Sequence, residues 1–402
     1  MINIQEQIKE LQNYQEILKN NSIDNHNTPT IIDQISSDLT DINKILSSLN
    51  NNHHKSKYQI IIRTENIFEY KENTSCIGEC EEITAMFKLS NNNLAFGSNK
   101  GTIAIYSLNL YKKQAVREAI KFEAHSDIVR SINETKDGKL ITCSDDRTIK
   151  IWNNNKLESF ILLRKPKQMQ PNSELDTISH CDAILQVNVL NNGMLVSNSY
   201  SANINQYPLK LWNLNTNPPK IISQFTEGKF SALSTVEVPN KNLIVGTFIN
   251  PTNGFIGVFD SNDLSNNFNK ANRIFDKYSF PNMKSLCLLP NDHVGILLEQ
   301  GMLIIKPSKE KIEIVKELTE CSNINSNSCQ TSFAVSQDKK FLLFTSPENL
   351  VVLSIENNYS LIDEDLQNRK EYGGVGIYFL NSDKMFVTNN ANRGFTLFLF
   401  KN

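Results

Sequence analysis

A histidine, a serine and an aspartate of the types found in hydrolytic triads stand in one short segment, "HSDIVRSINETKDGKLITCSDDRTIKIW" (125–152). In such a triad His125 would be the general base, Asp146 would orient its ring, and Ser144 would be the nucleophile. No nucleophile elbow and no oxyanion-binding loop accompany Ser144. The segment therefore favours a structural role for these residues, and we predict no catalytic residue in the chain.

Two cysteines and two histidines have the types that bind zinc. Cys76 and Cys80 form a C-x3-C pair, and His53 and His54 precede them. A structural zinc ion needs about four converging ligands, and no second pair stands at a zinc-site distance. The cysteines number seven and are spread along the chain, which favours reduced thiols over a disulfide framework. We predict no metal site and no cofactor.

Composition excludes several classes of function. The 402 residues carry a formal net charge of -2, with both signs mixed along the chain, whereas a nucleic-acid binder would show a basic stripe. The longest apolar runs, such as Phe395–Phe400, have the length of a strand and are too short to span a membrane. The opening "MINIQEQIKELQ" lacks the apolar core of a secretory signal. We therefore expect a cytoplasmic protein that does not bind nucleic acid.

Four short strands must position the residues of the opening segment. "DIVRSINET" and "KLITCS" are predicted strands, joined by a turn at Lys136–Lys139 in which Gly138 tolerates positive φ. A second tight turn at Asp145–Arg147 leads to "TIKIW", and "LESFILL" follows Asn153–Asn155. Four antiparallel strands in about 45 residues make one blade of a β-propeller.

This segment resembles a WD40 repeat, with His125 before the first strand and "KLITCSDDRTIKIW" at the strand–turn–strand signature. The resemblance implies a hydrogen-bonded chain inside the blade, formed by His125, Thr142, Asp146 and Trp152. The physical reason is that a buried carboxylate is costly unless it accepts hydrogen bonds. Ala124 and Asn153 depart from the Gly and Asp that the family usually has beside this His and Trp.

Weaker copies of the same pattern recur at the spacing of propeller blades. Together with the opening segment they give seven copies, and the other six begin at Glu82, Ala183, Phe230, Met283, Cys329 and Gly374. The last copy ends after its third strand, so its fourth strand must come from elsewhere. Two segments could supply it and close the ring, Tyr58–Arg63 or Ile67–Tyr70. We predict an all-β, seven-bladed WD40-like propeller over residues 58–402.

The first fifty residues follow a helical period instead. Apolar residues recur at spacings of three and four from Ile4 to Leu18 and again from Ile32 to Leu49. Each predicted helix is under three heptads long and needs a packing partner. That partner could be the propeller, a second copy of the chain or another protein. We assign residues 1–50 to a coiled-coil-like helical segment and residues 51–57 to a polar linker.

Long loops on a rigid scaffold are where recognition residues concentrate. The loops predicted to open on one face of the ring carry the candidate partner-binding residues Arg147, Lys165, Lys167, Tyr200 and Tyr207. Tyr and Arg are common anchors of interfaces, and the lysines would suit an acidic peptide.

Three functions fit this pattern to different degrees. The resemblance implies a non-catalytic scaffold for protein or peptide partners, of the kind that serves cytoskeletal, trafficking and signalling complexes. The alternative is a substrate-recognition subunit of a ubiquitin ligase. That class usually carries an F-box, a zinc module or a Trp-Asp-x-Arg ending, and here Asn153 follows Trp152. An enzyme is not favoured, because the six histidines are scattered and no phosphate-binding or nucleophile motif appears.

Overall fold

Short strands joined by tight turns make up the part of the chain that the structure describes. The structure is a computed structural model. It describes residues 63–66, 82–108, 116–161, 180, 182–200, 207–225, 230–249, 254–265, 283–298, 301–318, 333–345, 350–361, 377–379, 385–389 and 394–399. The predicted helical segment (1–50) and linker (51–57) lie outside the described residues.

The first strand in the chain, β1 (Arg63–Asn66), belongs to the last sheet, and the sheets are otherwise consecutive. We number them as blades. Blade 1 contains β2 (Ile83–Lys88), β3 (Leu94–Ser98), β4 (Thr102–Leu108) and β5 (Val116–Glu123). Blade 2 contains β6 (Val129–Glu134), β7 (Leu140–Ser144), β8 (Ile149–Asn153) and β9 (Lys156–Ile161). Blade 3 contains β10 (Ile184–Val189), β11 (Leu195–Ser199), β12 (Leu209–Asn213) and β13 (Lys220–Phe225).

The remaining blades follow the same order. Blade 4 has three described strands, β14 (Ser231–Val238), β15 (Leu243–Ile249) and β16 (Gly254–Asp260). Blade 5 contains β17 (Met283–Leu288), β18 (Val294–Leu298), β19 (Gly301–Pro307) and β20 (Ile312–Leu318). Blade 6 contains β21 (Phe333–Val335), β22 (Phe341–Thr345), β23 (Leu350–Ser354) and β24 (Ser360–Leu361). Blade 7 contains β25 (Ile377–Phe379), β26 (Met385–Asn389), β27 (Gly394–Leu399) and β1. Short 3-10 turns at Pro239–Lys241 and Pro290–Asp292 join the first two strands of blades 4 and 5.

The sheets are arranged in a ring. Among the described residues there are seven sheets, and each begins with an innermost strand that contacts the innermost strand of the next sheet. The circuit is complete because β25 of blade 7 also contacts β2 of blade 1. The Tyr378 hydroxyl donates to the Met86 carbonyl across this junction at 2.9 Å, and the Lys88 ammonium donates to the Phe379 carbonyl at 3.0 Å. The predicted all-β propeller is confirmed.

The described strand that pairs the N-terminal chain with the last blade is β1, which shares Arg63 with the first of the two predicted segments and continues to Asn66. It pairs antiparallel with β27, with Arg63 opposite Leu397 and Asn66 opposite Gly394. The other residues of the two predicted segments lie outside the described residues. Strand pairing is made by main-chain N–H and C=O groups, and every residue except proline supplies both. The sequence pattern therefore does not fix the bounds of such a strand.

Removal of β1 should weaken the ring. A chain that starts at Lys57 keeps β1, whereas a chain that starts at Ile67 loses four residue pairs with β27. Four antiparallel pairs make about four hydrogen bonds, each of which contributes about 0.5–1.5 kcal/mol, so we expect the shorter chain to lose roughly 2–6 kcal/mol of unfolding free energy. Its exposed β27 edge should also promote self-association. Urea titration and light scattering of the two chains check this, and equal stability with equal mass would contradict the role of β1.

The hydrophobic core lies between neighbouring blades. The second strand β7 is buried along its whole length, because it has blade 1 on one side and blade 3 on the other, whereas most of the outermost strand β20 is exposed. Between blades 2 and 3, for example, Ile141 and Ile149 pack with Ile184 and Trp212. Side chains at the ends of the buried strands are thus held rigidly at the faces of the ring.

Candidate functional site

The four residues that the WD40 resemblance singled out form one continuous hydrogen-bonded chain in blade 2. His125 precedes β6, Thr142 lies in β7, Asp146 in the β7–β8 turn, and Trp152 in β8. The Trp152 indole N–H donates to Thr142 Oγ1 at 2.9 Å, and Thr142 Oγ1 lies 2.8 Å from His125 Nε2. His125 Nδ1 lies 2.8 Å from a carboxylate oxygen of Asp146. These hydrogen bonds therefore link two strands, the turn between them and the segment that precedes β6.

The Asp146 carboxylate determines which atom donates in each of these hydrogen bonds. An ionised carboxylate only accepts hydrogen bonds, so the proton of neutral His125 is on Nδ1 and Nε2 accepts from the Thr142 hydroxyl. Burial is the main reason that the pKa of His125 lies below its usual value, although its contact with Asp146 opposes the shift. The ring is therefore neutral at pH 7.

Asp146 is held by several donors in addition to His125. Its carboxylate accepts from the Thr148 main-chain N–H at 2.9 Å and the Thr148 hydroxyl at 2.6 Å, and from the Ser126 N–H at 3.2 Å. Burial alone would raise the pKa of Asp146, but the hydrogen bonds and charge interaction with His125 and Thr148 hold it well below its usual value. The carboxylate is thus ionised and saturated with donors.

Ser144 is not arranged as a nucleophile. Its hydroxyl donates to the Asp127 carbonyl at 3.1 Å and accepts from the Asp146 N–H at 3.0 Å. The ring nitrogen that would activate a nucleophile, Nε2 of His125, contacts Thr142 instead. Thr142 is completely buried, so no substrate reaches it. His125 and Asp146 are therefore hydrogen-bonded to each other, but no accessible nucleophile lies beside the histidine ring.

The predicted partner-binding residues divide into three groups. Arg147 lies in the β7–β8 turn with a φ of 70°, and Tyr200 follows β11 with 50% of its surface exposed. Tyr207 precedes β12, is half-buried, and its ring centre lies 5.8 Å from Nζ of buried Lys210. Lys165 and Lys167 lie outside the described residues, so their role stays a prediction. Arg147 and Tyr200 occupy equivalent connections of adjacent blades and so lie on the same face of the ring.

Comparison with known proteins identifies the architecture. Residues 117–153 match the family model described as WD domain, G-beta repeat. The chain is similar to the beta-propeller domain of Cps50 (Swd1) from Myceliophteria thermophila, with a TM-score of 0.57 and 12% identity over 82% of this chain and 99% of that chain. The fold is a WD40 β-propeller. No curated protein sequence matches the chain.

WD40 propellers are typically non-catalytic and generally serve as scaffolds for protein interactions. In the described part of this propeller no group of three or more His, Cys, Asp or Glu side chains could hold a metal ion. The candidates Cys76, Cys80, His53 and His54 lie outside it. No helix in the described ranges is both long enough and apolar enough to cross a membrane.

Blade 3 of the WD40 propeller contains a second series of hydrogen-bonded side chains, which the sequence analysis did not predict. The Trp212 indole N–H donates to Ser197 Oγ at 2.7 Å, and Ser197 Oγ lies 2.5 Å from His180 Nε2. A spacing in the sequence could have revealed it, because His180 and Ser197 are 17 residues apart, as are His125 and Thr142. Among the described residues no carboxylate is hydrogen-bonded to Nδ1 of His180, and the ring has a hydrogen bond with the main chain of Tyr207 instead.

Acidification should destabilise the propeller through these two histidines. Burial is the main cause that lowers the pKa of His125 and holds that of His180 well below its usual value. The unfolded chain takes up these protons near pH 6.5 whereas the folded chain does not, so it binds more protons and the unfolding free energy falls as pH drops below about 6.5. Below about pH 4 the depressed pKa of Asp146 adds a further loss.

Urea midpoints between pH 7.5 and pH 5 check this prediction. Each histidine contributes up to about 1.4 kcal/mol per pH unit below its unfolded pKa. His180→Asn, compared with the wild type, should reduce the slope of stability against pH. A midpoint that does not change down to pH 5 would show that the rings are protonated in the folded protein.

A cleft of about 570 Å³ lies between blades 2 and 3 of the propeller. The β6–β7 and β12–β13 turns border it, so it opens on the face opposite to Tyr200. Lys139 at its wall bridges the carboxylates of Glu158 at 2.8 Å and Asp137 at 3.3 Å, and Leu214 lines another part of the wall. No sequence pattern predicted this cleft, because its walls come from two blades.

Proposed function

We propose that the chain is a non-catalytic scaffold, a seven-bladed WD40 ring that binds protein or peptide partners through the face that carries Arg147 and Tyr200. Residues 1–50 would form a helical segment that self-associates or docks on a partner. We expect the protein in the cytoplasm, where it could associate with the cytoskeleton. The seven described sheets and the contact of β25 with β2 support the blade number.

Tyr200 carries this proposal. It is the most exposed large hydrophobic side chain among the described residues, at 50%, and it lies at the end of a rigid buried strand. Aromatic side chains on a fixed scaffold lose little conformational entropy on binding, and Tyr and Arg are enriched among residues that dominate binding energy. The hydrogen bonds of Asp146 to His125 and Thr148 fix the β7–β8 turn that carries Arg147.

Affinity purification with the full chain and with residues 57–402 tests the proposal. Each identified partner is then measured for binding to Tyr200→Ala, Arg147→Ala and a control, Ile222→Ala, an exposed apolar residue at 43% on the outermost strand β13. We expect at least a tenfold loss of affinity for Tyr200→Ala, about 1.4 kcal/mol, and no change for Ile222→Ala.

A partner that binds residues 57–402 equally well with and without the Tyr200 ring would contradict the proposed face. A partner that is lost with residues 1–56 belongs to the helical segment instead. Co-purification of a ubiquitin ligase subunit with the ring would favour the substrate-receptor alternative.

A further inference from the structure

A glutamate of one blade binds the first turn of the preceding blade at two junctions of the ring. The carboxylate of Glu134, the last residue of β6, accepts from the Ser90 main-chain N–H at 2.6 Å and from its hydroxyl at 3.0 Å. Ser90 lies in the β2–β3 turn of blade 1. Glu237 in β14 accepts in the same way from the N–H of Asn191, in the β10–β11 turn of blade 3, at 2.8 Å.

Blade 3 has a valine at the place of this glutamate. The pairing of β6 with β7 has a bulge at Arg130, and Glu134 stands four residues after it. The same count from the bulge at Leu185 in β10 reaches Val189, and in β14 it reaches Glu237. Val189 is half-buried and has no carboxylate. The junction of blades 2 and 3 therefore lacks the glutamate contact that the junctions on either side of it have.

The β6–β7 turn of blade 2 keeps an exposed main-chain donor for this reason. Lys136 stands in this turn at the place of Ser90 and Asn191, and no described residue accepts from its N–H. Its ammonium is already engaged, because it donates to the Asn191 carbonyl. In blades 4 and 5 the same place is occupied by Pro239 and Pro290, which have no N–H. The Lys136 N–H is thus the donor that the junction leaves open.

This donor lies at the cleft of about 570 Å³ between blades 2 and 3, which Lys136 and Val189 both line. The short side chain of Val189 leaves open the space that a glutamate would enter. Ligand sites of proteins have volumes of ~300–1,000 Å³, so the cleft has room for more than one carboxylate. Ile151 and Leu214 form an apolar part of the wall, and Asn215 adds a side-chain amide.

The ionised side chains of the wall balance one another. Lys139 is bound to the carboxylates of Glu158 at 2.8 Å and Asp137 at 3.3 Å, and Lys136 adds a second positive charge. An acidic ligand therefore meets no net negative charge. A carboxylate accepts a hydrogen bond from a main-chain N–H more strongly than a neutral carbonyl oxygen does, so the open donor favours an acidic group.

We propose that this cleft binds a peptide of a partner protein, and that an acidic side chain of the peptide accepts from the Lys136 N–H. The acidic side chain takes the role that Glu134 and Glu237 have at the neighbouring junctions. An apolar side chain beside it in the peptide packs on Ile151 and Leu214. The cleft is a second binding surface, on the face opposite to the one proposed above.

NMR of the full chain labelled with nitrogen-15 tests this proposal. The probes are N-acetyl-Glu-Leu-amide, its neutral counterpart N-acetyl-Gln-Leu-amide, and sodium propionate as a small free acid, all at equal ionic strength. We expect a saturable downfield shift of the Lys136 N–H signal with the glutamate dipeptide. Binding of the glutamine dipeptide and of propionate should each be at least about tenfold weaker.

Two substitutions at one position isolate the donor. Lys136→Ala removes the ammonium and keeps the N–H, whereas Lys136→Pro removes both. Lys136 is the second residue of the turn in which the Gly138 N–H donates to the Thr135 carbonyl at 3.0 Å, a place where proline is common. With Asn215 as the reporting signal, we expect the affinity for the glutamate dipeptide to change by less than about threefold in Lys136→Ala and to fall at least about tenfold in Lys136→Pro.

A third substitution fills the site from within. Val189→Glu supplies the carboxylate that β6 and β14 have, so the Lys136 N–H signal should move downfield without any ligand. The glutamate dipeptide should then bind at least about tenfold more weakly. Val315→Glu is the matched control, because it makes the same change at a residue of β20 that is 45% exposed, and it should alter neither result. The two Lys136 variants decide the question if Val189→Glu does not fold.

The absence of a saturable shift with the glutamate dipeptide would overturn the proposal. Equal binding of the glutamine dipeptide would show that the acidic group is not recognised, and equal binding of propionate would show a site for small acids only. Equal affinities of Lys136→Ala and Lys136→Pro would show that the N–H is not the donor. Each of these results leaves the binding test at Tyr200 unaffected, so the two proposals fail separately.

Discussion

Replacement of Trp152 by alanine should destabilise the propeller by about 4–6 kcal/mol. Truncation of a buried aromatic residue to alanine costs about 3–5 kcal/mol through lost burial and the cavity that remains. The indole ring is 6% exposed and packs on Phe122 with ring centres 4.9 Å apart. The variant also leaves the Thr142 hydroxyl without its donor, which adds about 1 kcal/mol. Chemical denaturation of the wild type and the variant measures the difference.

Two further substitutions show which part of this loss comes from the hydrogen-bonded chain. Trp152→Phe keeps most of the ring but removes the N–H, so we expect a loss of about 1–3 kcal/mol. Tyr200→Ala removes an exposed ring and should change stability by no more than about 0.5 kcal/mol. An unchanged denaturation midpoint for Trp152→Ala would show that this residue does not hold the blade together.

Replacement of Gly101 by alanine should also destabilise the propeller strongly, although it adds only one methyl group. Gly101 has a φ of 84°, and its carbonyl accepts the main-chain N–H groups of Ala124 and His125, both at 2.9 Å. A Cβ atom at this position would lie 1.9 Å from the His125 carbonyl oxygen. The main chain that presents His125 to its partners must move to relieve this overlap, so we expect a loss above about 3 kcal/mol or no folded protein.

Gly138 is the matched control for this prediction. It has nearly the same φ, 82°, but no atom lies within 4 Å of the Cβ that alanine would add. Gly138→Ala should therefore cost only the left-handed backbone penalty of about 1–2 kcal/mol. Equal losses for the two variants in thermal or urea unfolding would mean that backbone conformation, and not the contact with His125, decides the result.

Much of blade 2 could be predicted from sequence because its strands and turns are determined by residues that are close together in the chain. Turn residues such as Gly138 and Arg147 have positive φ at the predicted turns, and the alternation of apolar residues marks strands whose two faces meet different neighbours. The tetrad was predictable because four specific residue types stand at fixed distances. The same reasoning found the start of every other sheet within a few residues.

The parts that could not be predicted depend on contacts between distant segments. The hydrogen-bonded side chains of blade 3 were not predicted because the connection between β11 and β12 is longer than the turn between β7 and β8. The distance in sequence from Ser197 to Trp212 therefore differs from that between Thr142 and Trp152. The cleft at Lys139 could not be predicted because its walls come from two different blades. The sequence left two segments open for the strand that pairs with β27, because this pairing uses main-chain groups, which carry no sequence signal.

The pairing of β1 with β27 has a consequence for synthesis of the protein. Arg63 leaves the ribosome about 330 residues before its partner Leu397, and at ~5–20 residues per second this corresponds to roughly 20–70 s. During that time the nascent chain carries a strand without its neighbour and an incomplete circle of sheets. Such long-range pairing is slow to form, so this interval is when the new polypeptide is most exposed to aggregation and most dependent on chaperones.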